Sequence, residues 1–366
     1  MPQSSHWIMR GLRHLDGILL TLVLLLLVIS LAVVASASGQ SPARISGHLI
    51  NIGLALGVMV VVANVPPHLL SKVGPPLFVA GVVLLIGVAL FGEVRNGSRR
   101  WLNLGFMAFQ PSELLKLALP LTLAWYFQRN EAVLRGKHFL IGGVLLLIPF
   151  LLILRQPDLG TALMIGASGF YLLFFAGLPW KVILGGGALG AASLPVVWGL
   201  LHDYQQRRVL TLLDPTSDPL GDGYHIIQST IAIGSGGLFG KGWMQGTQSQ
   251  LDFIPERTTD FIFAVFGEEF GYVGTILLVV LYLAIVARGL VIAARAPTLF
   301  GRLMAATLSL NLFTYAFVNM GMVSGILPVV GVPLPLMSYG GTALITLLLG
   351  MGILMSVATH RQLNKS

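Results

Sequence analysis

Three stretches of this sequence set ionisable residues against apolar runs: Gln110-Pro-Ser-Glu113-Leu-Leu-Lys116, Arg155-Gln-Pro-Asp158-Leu-Gly160, and the polar region from His202 to Asp260. A charge in or beside hydrocarbon is costly unless it is paired or hydrated, so these positions are where chemistry is sought first. Glu113 and Lys116 stand three apart, so on a helix they share a face and neutralise one another. Pro111 and Ser112 suit the start of that helix. A structural ion pair would explain the two residues as well as a functional one. Asp158 stands where a carboxylate caps orphan amides and complements a helix dipole, which is its simplest reading. Asp260, in Pro255-Glu256-Arg257-Thr258-Thr259-Asp260-Phe261, reaches the mouth of an apolar run, where it is either another cap or a general base. Burial would raise its pKa and neighbouring cations would lower it, and the sequence leaves both open.

The elements that position these residues follow from composition. The chain has 366 residues, 55% hydrophobic and 10% charged, with mean hydropathy +0.85. That is the composition of a polytopic membrane protein, read as one helical bundle over residues 1–366. Absence of cysteine excludes disulfides, thiolate metal sites and cysteine nucleophiles. The formal charge of +8 is scattered between apolar spans. It forms no basic domain and points to no nucleic acid.

Apolar runs long enough to cross a bilayer fall near 16–37, 46–65, 73–91, 112–128, 138–154, 159–177, 182–201, 262–287, 299–320 and 337–358, ten in all. The first is too long for a signal-peptide core and reads as a retained anchor. Arg10 and Arg13 place the amino terminus in the cytoplasm. Each inner turn then receives cations, and the ten spans return the carboxy terminus, with Arg361 and Lys365, to the same side. Glu93, Asp158, Asp203, Asp214, Asp218, Asp222, Asp252, Glu256 and Asp260 all fall outside. The largest outer connection, 202–261, carries enough Ile, Leu, Phe and Trp, with an amphipathic stretch at Tyr224–Ile233, to predict an ordered loop packed on the bundle.

Outer Arg95, Arg99, Arg100 and Arg155 run against the positive-inside tendency, and with Arg207, Arg208, Lys241 and Arg257 they could hold a phosphate or pyrophosphate. The glycine-rich run Gly234 to Gly242 is no nucleotide loop, since no Ser or Thr follows Lys241. It reads as a loop offering amides and Lys241 to an anion. If the eighth span continues as helix, Ala264 and Glu268 share a face with Asp260, and Glu268 and Glu269 reach membrane depth. Glycines 267, 271 and 274 leave room there for a break or a re-entrant turn. Asn96-Gly-Ser has the form of a glycosylation acceptor but is too short to carry weight. The last outer segment, Asn319 to Ala343, has a Pro and Gly spacing that no continuous helix accepts, so it predicts irregular backbone dipping toward the membrane.

That segment closely resembles the signature of the shape, elongation, division and sporulation (SEDS) family of bacterial cell-wall proteins. Gln110 to Lys116, Gln156 to Gly160, Asp203-Tyr-Gln, Leu213-Asp-Pro, Gly223 to Ser229, Gly234 to Gly242, Gly246 to Gln250 and Glu256 to Phe263 are similar to that family's blocks, in order, from about residue 16 to the end. The large loop is most similar to the rod-shape branch rather than the division branch. The resemblance implies an all-α fold of about ten spans in the cytoplasmic (inner) membrane. It implies a peptidoglycan glycosyltransferase that polymerises lipid II at the outer face, working with a class B penicillin-binding protein of the elongation machinery. It makes Asp260 the essential acid, matches Glu113 and Lys116 to polar residues of the family's central cavity, and matches Asp158 to a family block; Arg207, Arg208 and Lys241, as outer cations, and Ser338 are read as further residues of the substrate cavity.

The chemistry such an enzyme needs is a base for the acceptor hydroxyl and positive charge for the departing diphosphate. Asp260 suits the first role. Lys116, Arg207 and Arg208 suit the second. A divalent cation (Mg2+ or Mn2+) could share the pyrophosphate, with Asp260 then a metal ligand, although no metal-ligand spacing commits to one. Two rivals remain at this stage. A lipid II flippase would use the buried charges as a polar path but leaves the outward concentration of acids unexplained. A structural scaffold would leave Glu113, Lys116 and Asp260 without a purpose.

Overall fold

The computed structural model describes residues 15–95, 98–103, 108–156, 158–200, 203–218, 221–251, 253–254 and 256–360. Arg10, Arg13, Arg361 and Lys365, on which the expected placement of the termini rests, lie outside the described residues, as do Asn96, Pro157, His202, Asp252 and Pro255.

Long helices dominate. They are α1 (Gly17–Ala37), α2 (Pro42–Ala63), α3 (Pro67–Phe91), α4 (Pro111–Arg129), α5 (Gly136–Leu154), α6 (Leu159–Phe175) and α7 (Trp180–Leu200), then α8 (Asp203–Leu213), α9 (Asp222–Ser235) and α10 (Thr247–Gln250) in the large connection, and finally α11 (Ile262–Arg295), α12 (Leu299–Val323) and α13 (Gly341–Thr359). Their starts are written locally. Asp16 caps α1 by accepting from Leu19 N at 2.9 Å, Thr298 caps α12 through Gly301 N at 3.1 Å, and prolines open α2, α3 and α4, where a missing N–H costs nothing. Seven helices, α1, α2, α3, α5, α11, α12 and α13, are long and apolar enough to cross a membrane. α4, carrying Glu113, Lys116 and Arg129, and the apolar α6 and α7 stand at three further runs read as spans. The chain is a multi-pass membrane protein.

One departure from the all-helical expectation is a small antiparallel sheet between α3 and α4, formed by β1 (Glu93–Arg95), β2 (Ser98–Asn103) and β3 (Ala108–Phe109) in that order. The dipeptide Asn96-Gly97, set aside above as part of a chance glycosylation triplet, is the one that favours a tight hairpin turn, and it lies between β1 and β2.

The bundle is closed by α2 against α13, α3 against α4, and α11 against α12. Within the large connection, α9 is buried through Ile226 and Ala232 and tied to the end of α12 by Ser229 Oγ donating to Val323 O at 2.8 Å. The expected break in the eighth span is at Gly271, whose φ of 66° and ψ of −166° interrupt α11. A Cβ there would lie 2.3 Å from Gly240 N, so only glycine fits both the angle and the contact. The peptide groups released by the break are taken up by the glycine-rich run: Lys241 N and Gly242 N donate to Glu268 O and Glu269 O, each at 3.0 Å, while Tyr272 N and Val273 N donate to Gly237 O at 2.9 Å and Leu238 O at 3.0 Å. The amides expected to face an anion are therefore consumed in joining this loop to α11.

Candidate active site

Glu113 and Lys116, one turn apart near the start of α4, form the predicted pair: Lys116 Nζ donates to Glu113 Oε1 at 2.5 Å. Lys116 Nζ also lies 5.4 Å from the centre of the Tyr315 ring, a cation over an aromatic face. The second carboxylate oxygen of Glu113 is buried and has no hydrogen-bond partner. Across from the pair, Asp158 caps α6 by accepting from Thr161 N at 3.1 Å and accepts from Gln110 Nε2 at 3.3 Å. The Gln156-to-Gly160 block is structurally accounted for. Gln156 Nε2 donates to Leu85 O of α3 at 3.2 Å, and a Cβ on Gly160 would strike Val330 O at 2.5 Å.

These side chains line one cavity of about 240 Å³. Gln110, Glu113, Lys116 and Asp158 line it together with Asn311 and Tyr315, and Leu117, Met164, Leu308, Leu312 and Met351 give it an apolar lining as well. Sequence reasoning named Glu113, Lys116 and Asp158 for this cavity and had Gln110 as the first residue of the block that holds Glu113 and Lys116. It missed Tyr315 and Asn311, which face the same space from α12. Nothing in an isolated Tyr or Asn within an apolar run marks it as cavity-facing.

Asp260 lies in the turn that enters α11, partly buried. Gly331, from the irregular segment after α12, lines the cavity and is so close to this carboxylate that a Cβ there would be 3.5 Å from Oδ2. Asp260 is thus next to the cavity wall rather than within it. Burial, with the neighbouring Glu256 carboxylate adding to it, pushes the Asp260 carboxyl up to about 6. Of the two opposing influences named from the sequence, desolvation is the one that prevails. Ser338 holds this turn: its Oγ donates to Thr259 O at 2.6 Å and accepts from Leu334 N at 2.8 Å, while Tyr339 N donates to Thr258 O at 2.8 Å. Ser338 is therefore a backbone support of the site and does not line the cavity.

The expected outer cations divide. Lys241 Nζ is 2.7 Å from Glu268 Oε1, a fully buried carboxylate that also accepts from Gln248 N at 2.9 Å and Ser249 N at 3.2 Å. Arg257 donates to Ala37 O at 2.6 Å and Ser249 O at 2.5 Å, closing the carboxyl end of α1, where a cation suits the dipole. Both are spent on architecture, because a charge at a buried helix end is cheaper paired than offered to a ligand. Arg207 is exposed and Arg208 partly exposed on α8, and neither lines the cavity. The cation beside Asp260 is one the sequence reading passed over: exposed Arg44, in the first turn of α2, donates to Thr258 Oγ1 at 3.2 Å. Its signal was available, since it is another outer arginine running against the positive-inside tendency. Among the described residues, no group of three or more His, Asp or Glu side chains is placed to hold a metal ion.

The molecule is similar to proteins of bacterial cell-wall synthesis. Peptidoglycan glycosyltransferase MrdB of Escherichia coli K12 is 53% identical over 351 residues, covering 96% of this chain and 95% of that protein. A probable peptidoglycan glycosyltransferase FtsW of Geobacter sulfurreducens is 37% identical over 84% of this chain and 83% of its own. Among solved structures, a chain from a study of the structural coordination of polymerization and crosslinking by a peptidoglycan synthase complex matches with TM-score 0.81 and 36% identity, covering 94% of this chain and 97% of that one. The crystal structure of Thermus thermophilus rod shape determining protein RodA matches with TM-score 0.72 and 31% identity over 95% of this chain and 98% of that one. The cell cycle protein model for FtsW, RodA and SpoVE matches residues 15–363, and with that span, which holds the paired charges of α4, the cap of α6 and the Asp260 turn, this chain belongs to the FtsW/RodA/SpoVE family.

Proposed function

We propose that this protein is a peptidoglycan glycosyltransferase that polymerises lipid II at the outer face of the cytoplasmic membrane during cell elongation. The observation that carries the reading is the pairing of a partly buried carboxylate, Asp260, with an adjoining cavity lined by both ionisable and apolar side chains. A carboxyl with a pKa of about 6 is ionised at neutral pH yet more basic than an ordinary aspartate, which suits a general base. Asp260 takes the proton of an acceptor sugar hydroxyl. That oxygen attacks the donor's anomeric carbon, the bond to the phosphate oxygen breaks, and its electron pair leaves with the lipid pyrophosphate. Arg44, bonded to Thr258 of the Asp260 turn, supplies a guanidinium able to meet the developing charge. Lys116 contributes less than its formal charge, because Glu113 already neutralises it. The apolar lining suits a prenyl chain and the polar lining suits sugars. Any Mg2+ or Mn2+ would be held largely by the pyrophosphate oxygens, with Asp260 and Glu256 the carboxylates at hand.

The relatives' names support the reaction, and the synthase complex, in which polymerisation and crosslinking are coordinated, supports a class B penicillin-binding protein as partner. Both termini in the cytoplasm would set the Asp260 end of the bundle outside. The test is glycan polymerisation from lipid II by the purified protein, alone and with its transpeptidase, beside Asp260→Ala. Polymer from the unaltered chain and none from the variant is the expected result. Labelled lipid crossing liposomes with no polymer from either chain would favour the flippase instead.

A further inference from the structure

Three consecutive carbonyls of the Asp260 turn are each held by a different donor from the segment 319–339. Tyr339 N takes Thr258 O at 2.8 Å, Ser338 Oγ takes Thr259 O at 2.6 Å, and Asn319 Nδ2 takes Asp260 O at 2.8 Å. The Asn319 amide donates a second time, and to the cavity wall: the same Nδ2 donates to Val332 O at 2.7 Å, in the stretch Gly331-Val332-Pro333 that forms part of that wall. Asn319 is fully buried on α12. A buried amide is retained where its donors are used, and here both of its N–H groups join the turn carrying the carboxylate to the wall of the cavity.

We infer that Asn319 is a positioning residue, which sets the Asp260 carboxylate in register with the cavity by holding the backbone of both at once. It has no place in the substrate-binding surface. The inference rests on the proposed glycosyltransferase reading. The charged or titratable groups around this turn are Glu256, bonded through Oε2 to Thr259 Oγ1 at 2.9 Å, Arg44 on the Thr258 hydroxyl, Arg257 on α1, and His225 of α9, whose ring is stacked on Phe261 with centroids 5.3 Å apart. None of them touches Asn319. A change at Asn319 therefore reaches the carboxylate only through the backbone.

The experiment compares the unaltered protein, Asp260→Ala, Asn319→Leu and Asn319→Asp, each in complex with the transpeptidase, by lipid II polymerisation across pH. Leucine keeps the volume and removes both bonds. Aspartic acid, held neutral by burial between two carbonyls, restores one. For Asn319→Leu we expect kcat to fall roughly 10- to 100-fold, the scale of a small misplacement of a catalytic group, with KM for lipid II changed less than about twofold. The acid limb of the rate should also move to lower pH, because a turn released from the wall lets the carboxylate hydrate. Asn319→Asp should lie between. A variant that is merely less well folded loses amplitude without moving the limb. If Asn319→Leu does not fold, Asn319→Asp carries the same test alone. Unchanged kcat and an unmoved limb, or a rise in KM at constant kcat, overturn the inference. Polymerisation undiminished in Asp260→Ala, or absent from the unaltered protein, would instead overturn the reading on which it rests.

Discussion

Two of the buried ion pairs among the described residues, Glu268 with Lys241 and Glu113 with Lys116, differ in one respect. Glu268 is saturated: Lys241, Thr247 Oγ1 and the amides of Gln248 and Ser249 all donate to it, and no part of it is exposed. Glu113 receives one donor, Lys116, on one oxygen, while its other oxygen has none and the pair faces a cavity. A carboxylate with every lone pair satisfied is doing structural work, since nothing more can bind to it without displacing a donor. One left short beside open space is poised to accept a ligand's hydroxyl or amide. The sequence paired Glu113 with Lys116 by spacing and left Lys241 to an anion; in the fold, satisfaction tells the two pairs apart where charge and burial do not.

The largest effect should separate them outright. Glu268→Ala leaves Lys241 without its partner and strips the loop from the broken helix, so we expect a loss of about 3–5 kcal/mol, read as a lowered unfolding midpoint and poor recovery of folded protein. Glu113→Gln should cost only about 1 kcal/mol of stability but about a hundredfold in polymerisation. If both variants unfold alike, the distinction collapses. Gly271→Ala forces a side chain into a backbone at φ 66° that meets Gly240 N, and should cost more than the usual 1–3 kcal/mol of such strain, with the same unfolding signature as Glu268→Ala. A smaller effect sharpens the catalytic side. Since Asp260 acts ionised and its carboxyl sits at about 6, the rate should fall as pH drops through that value. Burial is the first cause and Glu256 the second, so Glu256→Gln should move the acid limb modestly to lower pH without abolishing activity. Last, a raised carboxyl pKa means the folded state holds this proton more tightly than the unfolded state. The resulting penalty is absent at low pH and is felt as pH rises through about 6. Asp260→Asn should therefore be inactive yet more stable at neutral pH by about 1 kcal/mol, measurable as a higher midpoint at pH 7.5 than that of the unaltered chain and no gain at pH 4.

Much of this was legible before any coordinates. Helix starts at Asp16, Pro111 and Asp158 follow local rules. The pairing of Glu113 with Lys116 follows from helical spacing, and the break at Gly271 was permitted by its glycines. Long-range pairing was not legible. Lys241 and Arg257 carry the charge an anion site needs, and only the fold shows that Glu268 and the Ala37 carbonyl claim them first. Ser338 belongs to a run whose Pro and Gly content predicts irregular backbone, but its use as a backbone support depends on Thr259 arriving from another part of the chain. Arg44 carried the signal of an outer arginine, but its bond to Thr258 joins residues 214 apart in the chain, which sequence does not show.

The grip on Thr258, Thr259 and Asp260 also has a consequence for how the protein is made. Its donors lie 59 to 81 residues downstream of the carbonyls they hold. At ordinary rates of synthesis this is a delay on the order of 3–15 s, during which the aspartate has emerged but its turn has no anchor. The catalytic geometry is therefore among the last things the nascent chain acquires, and a ribosome that stalls before the final span releases a membrane-inserted fragment with the aspartate present and no means of aiming it. The aspartate is in this way aimed only when the protein's own translation is almost finished.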